Sequence, residues 1–333
     1  MPGNPNFPTD LLSTTWEIFL STQPSDAVFG DLVLFDVLSK KSKVSKRGGI
    51  KILQPLMYAK STAVGSYSGW DVLDLSPQEG LTNAEFDWKF YYGSLAISNE
   101  ELFRNSGKAQ MIDLLESKWA QAKMSLADKI NKDMFLDGTG NSGKDITGLA
   151  LMVDSAGTYG GINRSTNTWW GAQETNVGGA LTITGSTGMR RMYNDCSLGR
   201  GRVTPDFIIT TQAGFESYEA LLDANMRYTI TQAKTPVFQN LNLMFRDTPL
   251  FWDDYCQTGT MYFLNSNFIK LVVFSERDGG VNKGDDRDTG DFRTEPFQTP
   301  QNQDGKVAKF FWQGQLVASN CRHLGKLTGI SNA

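Results

Sequence analysis

Histidine is almost missing from this chain: there is one, His323, among 333 residues. Ser–His, Cys–His and histidine-rich zinc sites all need an imidazole beside a nucleophile or several around a metal, so these classes are disfavoured together. A lone histidine flanked by Arg322 is expected to be structural. Cysteine is scarce as well. Cys196, Cys256 and Cys321 lie far apart without CxxC spacing, and an odd number cannot all pair within one chain, so they read as small buried hydrophobes from a reducing cytosol. No apolar run is long enough to cross a bilayer, and the start Met1-Pro2-Gly3-Asn4-Pro5 lacks the basic and apolar regions of a secretory signal, so cytoplasmic synthesis is expected. Nor is there an excess of one charge. Lys plus Arg is 32, Asp plus Glu is 36, and the formal net charge of −4 gives no general attraction to nucleic acid, membrane or polyanion. No internal repeat of the solenoid or propeller kind is present.

What is present is enough chain for one large or two ordinary domains, with an ordinary hydrophobic fraction of 40% that supports a real core. Residues 1–47 mix Pro, Gly and polar residues with apolar stretches at 16–20 and 28–38, the second spaced like a short helix after Ser25. The basic cluster Lys40, Lys41, Lys43, Lys46 and Arg47 follows, closed by Gly48-Gly49, and the whole reads as an extended arm. Residues 50–60 and 85–97 read as two strands. In the second, Phe86, Trp88, Phe90 and Tyr92 alternate with Asp87, Lys89 and Tyr91, which places four aromatics on one face. Between them, Gly65-Ser66-Tyr67-Ser68-Gly69, Trp70, Pro77 and Gly80 mark a long irregular tip.

Ser98-Asn99-Glu100-Glu101 has the spacing of a capping box, the Ser98 hydroxyl and Glu101 carboxylate each meeting a free amide at a helix start. Gly107 is a point of interruption. Beyond it Ile112, Leu115, Trp119, Ala122, Leu126, Ile130 and Met134 step by three or four, predicting a helix of roughly 40 Å. Lys118, Lys123, Asp128 and Lys132 form its charged face. Gly138, Gly140 and Gly143 end it. An α/β region follows, with helices predicted at 187–194 and 214–224 and strands at 205–211, 241–245, 260–264 and 268–275. An acidic, glycine-rich loop at 278–291 leads to two final strands, 306–312 and 315–320.

Several segments imitate chemistry. Gly138-Thr139-Gly140-Asn141-Ser142-Gly143-Lys144-Asp145 nearly fits a phosphate-binding loop, but Asp145 stands where a hydroxyl should hold magnesium, and the loop follows a helix where the motif needs a strand. Asp285, Asp286, Asp288 and Asp291 have the composition of a calcium loop but no Glu at the twelfth position. Asp253-Asp254 and Glu100-Glu101 are ordinary surface pairs, with no reason in the sequence to expect a raised pKa. Trp169-Trp170, beside Asn163, Arg164 and Gln173, suggests either a sugar-stacking platform or a packed loop, and the second is the simpler reading. The basic cluster at 40–47 lacks interleaved aromatics and suits a neighbouring subunit at least as well as nucleic acid. No catalytic residue, cofactor or metal is therefore expected.

The hairpin makes the strongest demand. A two-stranded ribbon is at best marginally stable alone, and each large aromatic buried contributes roughly 1.5 to 3 kcal/mol. An apolar face of this size on an extension calls for a partner, as do Trp16, Phe19, Phe29 and Phe35 in the arm. The expected subunit-interface residues are therefore Trp16, Phe19, Phe29, Phe35, Tyr67, Trp70, Phe86, Trp88, Phe90 and Tyr92.

The order of these features resembles the tailed-bacteriophage major capsid family, whose fold is shared with the herpesvirus capsid floor and encapsulins. The most specific local match is Phe135-Leu136-Asp137-Gly138-Thr139-Gly140 followed by Thr147-Gly148-Leu149, which looks like the family's passage from spine helix to central domain. Thr204-Pro205-Asp206-Phe207-Ile208-Ile209 with Phe215-Glu216-Ser217-Tyr218 looks like a strand and helix of that domain. Thr248-Pro249-Leu250, Tyr262-Phe263-Leu264 and Gln315-Leu316-Val317-Ala318 are further matches. Gly160-Gly161-Ile162-Asn163-Arg164-Ser165-Thr166 with Trp169-Trp170 is similar to a loop in one branch of the family.

The resemblance implies an α+β, HK97-like fold: an N-terminal arm (1–47), an extended β-hairpin loop (48–97), a peripheral domain (98–174) with a spine helix at about 98–137, and an α/β axial domain (175–277). A peripheral-domain loop and strands (278–314) and a C-terminal return to the axial domain (315–333) complete it. It further implies a non-enzymatic subunit forming hexamers and pentamers of an icosahedral shell around double-stranded DNA, located in the virion and, during assembly, in the host cytoplasm. Implied partners are further copies of the chain, portal and scaffolding proteins, decoration proteins, and packaged DNA by weak non-specific contact, with no membrane. An encapsulin-like compartment enclosing protein cargo is the alternative. With no long helical scaffold before the arm, the chain resembles a mature form or a member assembled on a separate scaffolding protein.

Overall fold

The computed structural model describes residues 32–46, 48–104, 114–197, 203–223, 243–274, 292–300 and 304–331. Trp16, Phe19, Phe29 and the acidic loop carrying Asp285, Asp286, Asp288 and Asp291 lie outside the described residues, as does Gly107. Two compact units emerge: one drawn from residues 91–129 and 277–312, the other from 31–90, 130–276 and 313–333.

In the second unit, the stretch expected to be an extended arm contributes a helix, α1 (Val33–Lys41), and a strand, β1 (Lys43–Lys46). Leu34, Val37 and Leu38 recur at helical spacing and are fully buried, so this part of the chain is core rather than extension. Next come β2 (Lys51–Met57) and β3 (Leu81–Asp87), paired antiparallel from Lys51↔Asp87 to Met57↔Leu81 as a separate two-stranded sheet. The predicted strand 85–97 is in fact two, because β4 (Lys89–Ser98) begins after a break at Trp88.

The main sheet of this unit has six strands among the described residues. They are β7 (Gln173–Gly179), β8 (Phe207–Thr210), β9 (Met244–Phe245), β10 (Thr248–Trp252), β11 (Met261–Leu264) and β15 (Gly325–Ile330), in the order β7-β15-β11-β8-β10-β9. All four residues of β8 and of β11 are buried, as strands covered on both faces require. Ile208, Met261 and Phe263 face the helices α5 (Met189–Cys196) and α6 (Gln212–Asp223) through Met192, Phe215 and Tyr218. Tyr262 points the other way, its ring 6.4 Å from Phe135, and Lys41 places its ammonium 5.9 Å from the Phe207 ring. The sheet is thus sandwiched between helical layers. Both helices fall within two residues of the predicted starts. Strands β1, β7, β10 and β15 went unpredicted, and β15 pairs in parallel with β7 across a bulge at Gly329.

A long helix, α3 (Leu114–Phe135), supplies residues to both units; at 22 residues it spans about 33 Å. It is preceded by α2 (Asn99–Arg104), whose first turn is capped as the sequence suggested: Ser98 Oγ accepts from the Glu101 amide at 3.1 Å. The reciprocal half of the capping box does not form, because the Glu101 carboxylate accepts from Lys118 Nζ at 2.8 Å. In the first unit β4, β13 (Phe292–Gln298) and the first part of β14 (Gly305–Ala318) form a sheet against Trp119 of α3, around Leu95, Ile97, Ala308 and Phe310. The two closing strands predicted at 306–312 and 315–320 are this single strand β14. Gly314, read as a break, stays in the ladder opposite Val273 of β12 (Ile269–Phe274), which pairs on its other side in parallel with β1.

Candidate subunit interface

The hairpin β2–β3 is anchored by one of its faces. Ala84 and Phe86 are buried against the turn between β5 (Thr158–Tyr159) and β6 (Ile162–Asn163), where Gly160 brings its backbone so close that a Cβ would lie 2.9 Å from both side chains. The Glu85 amide donates to the Gly160 carbonyl at 3.0 Å, and the Phe86 and Tyr159 rings are 5.0 Å apart. Further out, Tyr58 lies against Trp169, with ring centroids 5.7 Å apart. The turn that resembled a sugar platform is therefore a support for the hairpin: Trp170 is buried and donates its indole N–H to the Tyr159 carbonyl at 3.0 Å. Arg164 beneath it is buried too, donating to the carbonyls of Leu151 and Met152 at the end of α4 (Leu149–Met152) and lying 4.9 Å from the Tyr159 ring.

The expectation of four aromatics on one face is corrected by the break at Trp88. In β3 the even-numbered residues point inward, in β4 the odd-numbered ones do, because one extra residue in a period-two pattern reverses the side that follows. Phe86 is 5% exposed and Tyr91, expected outside, is buried, whereas Phe90 and Tyr92 are 65% and 72% exposed. Trp88 itself donates its indole N–H to the Gly49 carbonyl at 3.0 Å and meets Phe274 edge-on. Gly48 and Gly49 both have positive φ there, a conformation other residues adopt at a cost. Phe35 is half-buried on α1, and its amide donates to Asn131 Oδ1.

The other face of the hairpin and its tip have no such cover. Leu53, Met57 and Leu81 are exposed on the ribbon, and Val64, Tyr67, Trp70, Val72 and Leu75 are exposed between the strands, Trp70 completely. The tip is nonetheless ordered by its own polar groups. Gln78 Oε1 accepts from the amide and hydroxyl of Thr62, Asp71 from the Ser68 amide, and Asp74 from the amide and hydroxyl of Ser76, which hold the Asp74 carboxyl below its ordinary pKa. Shape without an apolar interior is what a surface built for contact has.

The remaining chemical candidates dissolve into structure. His323 is buried, its Nδ1 2.9 Å from the Cys196 carbonyl and its ring stacked 4.4 Å from Phe268. All three cysteines are buried and free, and burial pushes the Cys321 thiol up to about 11. Residues 138–145 form a turn after α3, with Asn141 and Ser142 in the left-handed region, and no strand precedes it. Asp253, expected on the surface, is 1% exposed, a position no local pattern in the sequence signals.

No protein-family model matches the chain, and no curated protein matches its sequence. Solved structures do. The capsid asymmetric unit of cyanophage A-1(L) superposes with a TM-score of 0.70 at 18% identity, covering 97% of this chain and 98% of the other. The holo-SrpI encapsulin complex of Synechococcus elongatus PCC 7942 gives 0.62 at 8% identity over 96% and 95%, and the capsid of Myoviridae phage XM1 gives 0.56 at 12% over 98% and 99%. The chain therefore has the HK97-like α+β fold found in phage capsid subunits and in an encapsulin.

Proposed function

We propose that this chain is the major capsid protein of a tailed phage, a structural subunit with no catalysis of its own. Its copies associate through hexamers and pentamers into an icosahedral shell enclosing double-stranded DNA. The observation that carries this reading is the hairpin tip, where Tyr67, Trp70, Val72 and Leu75 stand exposed on a segment ordered by its own hydrogen bonds. Burying such side chains contributes roughly 1.5 to 3 kcal/mol each, so a second copy is the simplest cover. Phe90 and Tyr92 join the tip as interface residues, while Phe86 and Trp88 act by fixing the hairpin's base. On this reading residues 48–97 are the extended loop, about 98–137 the spine helix of a peripheral domain and 175–277 the axial domain. Portal and scaffolding proteins, decoration proteins and loosely held DNA are the remaining partners, and the host cytoplasm the place of assembly. The encapsulin superposition supports a second reading, a cellular compartment enclosing protein cargo. Purified protein viewed by negative-stain microscopy decides the first point: closed shells are expected, and a dispersed monomer at high concentration overturns both readings. Nuclease-protected DNA inside the shells selects the phage capsid, and a co-purifying enclosed protein the compartment.

A further inference from the structure

Besides the tip, one other surface of the chain combines exposure with apolar character, the outer side of the β4–β14–β13 sheet. Its inner side is filled by Tyr91, Leu95, Ile97, Ala308, Phe310 and Trp312. The alternate residues Tyr92, Ser94 and Ala96 on β4 are exposed, Val307 and Phe311 on β14 are half-buried, and Phe297 at the β13 bulge is 39% exposed. The charges on this side are mostly positive. Arg293 stands opposite Phe311 and Glu295 opposite Lys309 in the ladder, and Lys306 is exposed at the start of β14. The tip has the opposite sign: between Ser61 and Gly80 there are three carboxylates, Asp71, Asp74 and Glu79, and no lysine or arginine. All three are exposed, interleaved with Trp70, Val72 and Leu75.

Resting on the shell reading above, we infer that the occupant of this sheet face is the hairpin tip of a second copy, with the acidic tip selected by Arg293, Lys306 and Lys309. The contact is heterologous, one patch meeting a different patch, so each copy offers one tip and one face and the pairing propagates until a ring closes. Exposed ion pairs add little energy each, and their contribution here is to register and partner choice, the apolar side chains supplying the adhesion. Each contact is weak alone and accumulates around a closed ring. Assembly should accordingly slow as salt rises, since charges at this range are screened over about 8 Å at physiological ionic strength.

Charge reversal tests the pairing. Asp71→Lys/Asp74→Lys/Glu79→Lys in the tip, or Arg293→Glu/Lys306→Glu/Lys309→Glu on the sheet, should each lower shell yield about tenfold or more, because like charges then face each other. Shells should return when a copy carries both sets. As a second measurement, copies with Val72→Cys mixed with copies with Ser94→Cys should form mixed disulfide dimers on oxidation, which neither makes alone. Shells of normal yield from either reversed set overturn the inference, as does loss of shells only from the tip set, failure of the combined set despite native circular dichroism, or absence of the mixed dimer. Failure of the unaltered chain to form shells is a different result, and removes the capsid reading itself.

Discussion

The side-chain amide of Asn131, on the spine-like helix α3, donates to the buried carboxylate of Asp253 at 3.1 Å. The Leu34 amide in the first turn of α1 donates to the same carboxylate and the Phe35 amide to Asn131 Oδ1, so the pair caps a helix that has no cap of its own. Asp253→Ala strands these donors in the interior and should cost about 3 kcal/mol, read from urea unfolding monitored by circular dichroism.

Burial raises the Asp253 pKa, against the opposing hydrogen bonds from Asn131, Tyr255 and Leu34, and the neighbouring Asp254 charge adds to the rise. A carboxyl raised in the folded state contributes stability that is fully present below its unfolded pKa of about 3.9 and is lost as pH rises through the folded value. Asp253→Asn should therefore flatten this part of the stability profile above about pH 4, besides lowering its overall level. An unchanged slope in urea titrations across that range would count against the assignment.

Gly148 admits no side chain. A Cβ there would lie 2.3 Å from the Met134 carbonyl and 2.5 Å from that of Leu136, both backbone atoms that cannot yield. Gly148→Ala is expected to cost more than about 3 kcal/mol or to leave the protein insoluble, measured as soluble yield and thermal midpoint.

The β9–β10 turn places Arg246 at φ 50° and Asp247 at φ 65°, a hairpin geometry that favours Asn-Gly. Arg246 is held over the rings of Tyr193 and Phe245 and donates to Asn194 Oδ1 at 2.7 Å, which offsets the strain. Asp247→Gly should raise stability by about 0.5 to 1 kcal/mol, and Arg246→Ala should lower it by a similar amount, by denaturant midpoint.

Trp70→Ser removes an exposed indole and should change the unfolding midpoint by less than about 0.5 kcal/mol while strongly reducing shell yield in light scattering. Trp88→Ser is expected to behave oppositely in the first measurement, because Trp88 ties Gly49 and Phe274 to the hairpin's base.

The helix start at Ser98 and the fully buried strand Phe207–Thr210 were legible because capping and burial leave local marks. The site was legible only in part. Tyr67 and Trp70 stand exposed as expected, but the inward turn of Phe86 and Tyr91 depends on one unpaired residue, Trp88, that alternation alone does not reveal. Strands β7 and β15 were missed because Gly178, Gly179, Gly325 and Gly329 dilute their pattern and their parallel pairing is set by distant partners. Asp253 was misplaced because burial of a carboxylate depends on donors from α1 and α3, far away in sequence.

The parallel match of β1 with β12, Lys43 opposite Leu271 through Lys46 opposite Phe274, has a temporal side. A ribosome adds about 5 to 20 residues per second, so β1 emerges some tens of seconds before the strand it must lie beside has been synthesised. Throughout that interval Leu34, Val37 and Leu38 have no finished layer to enter, and the newborn N-terminal region is the part of this polypeptide most in need of a chaperone's cover.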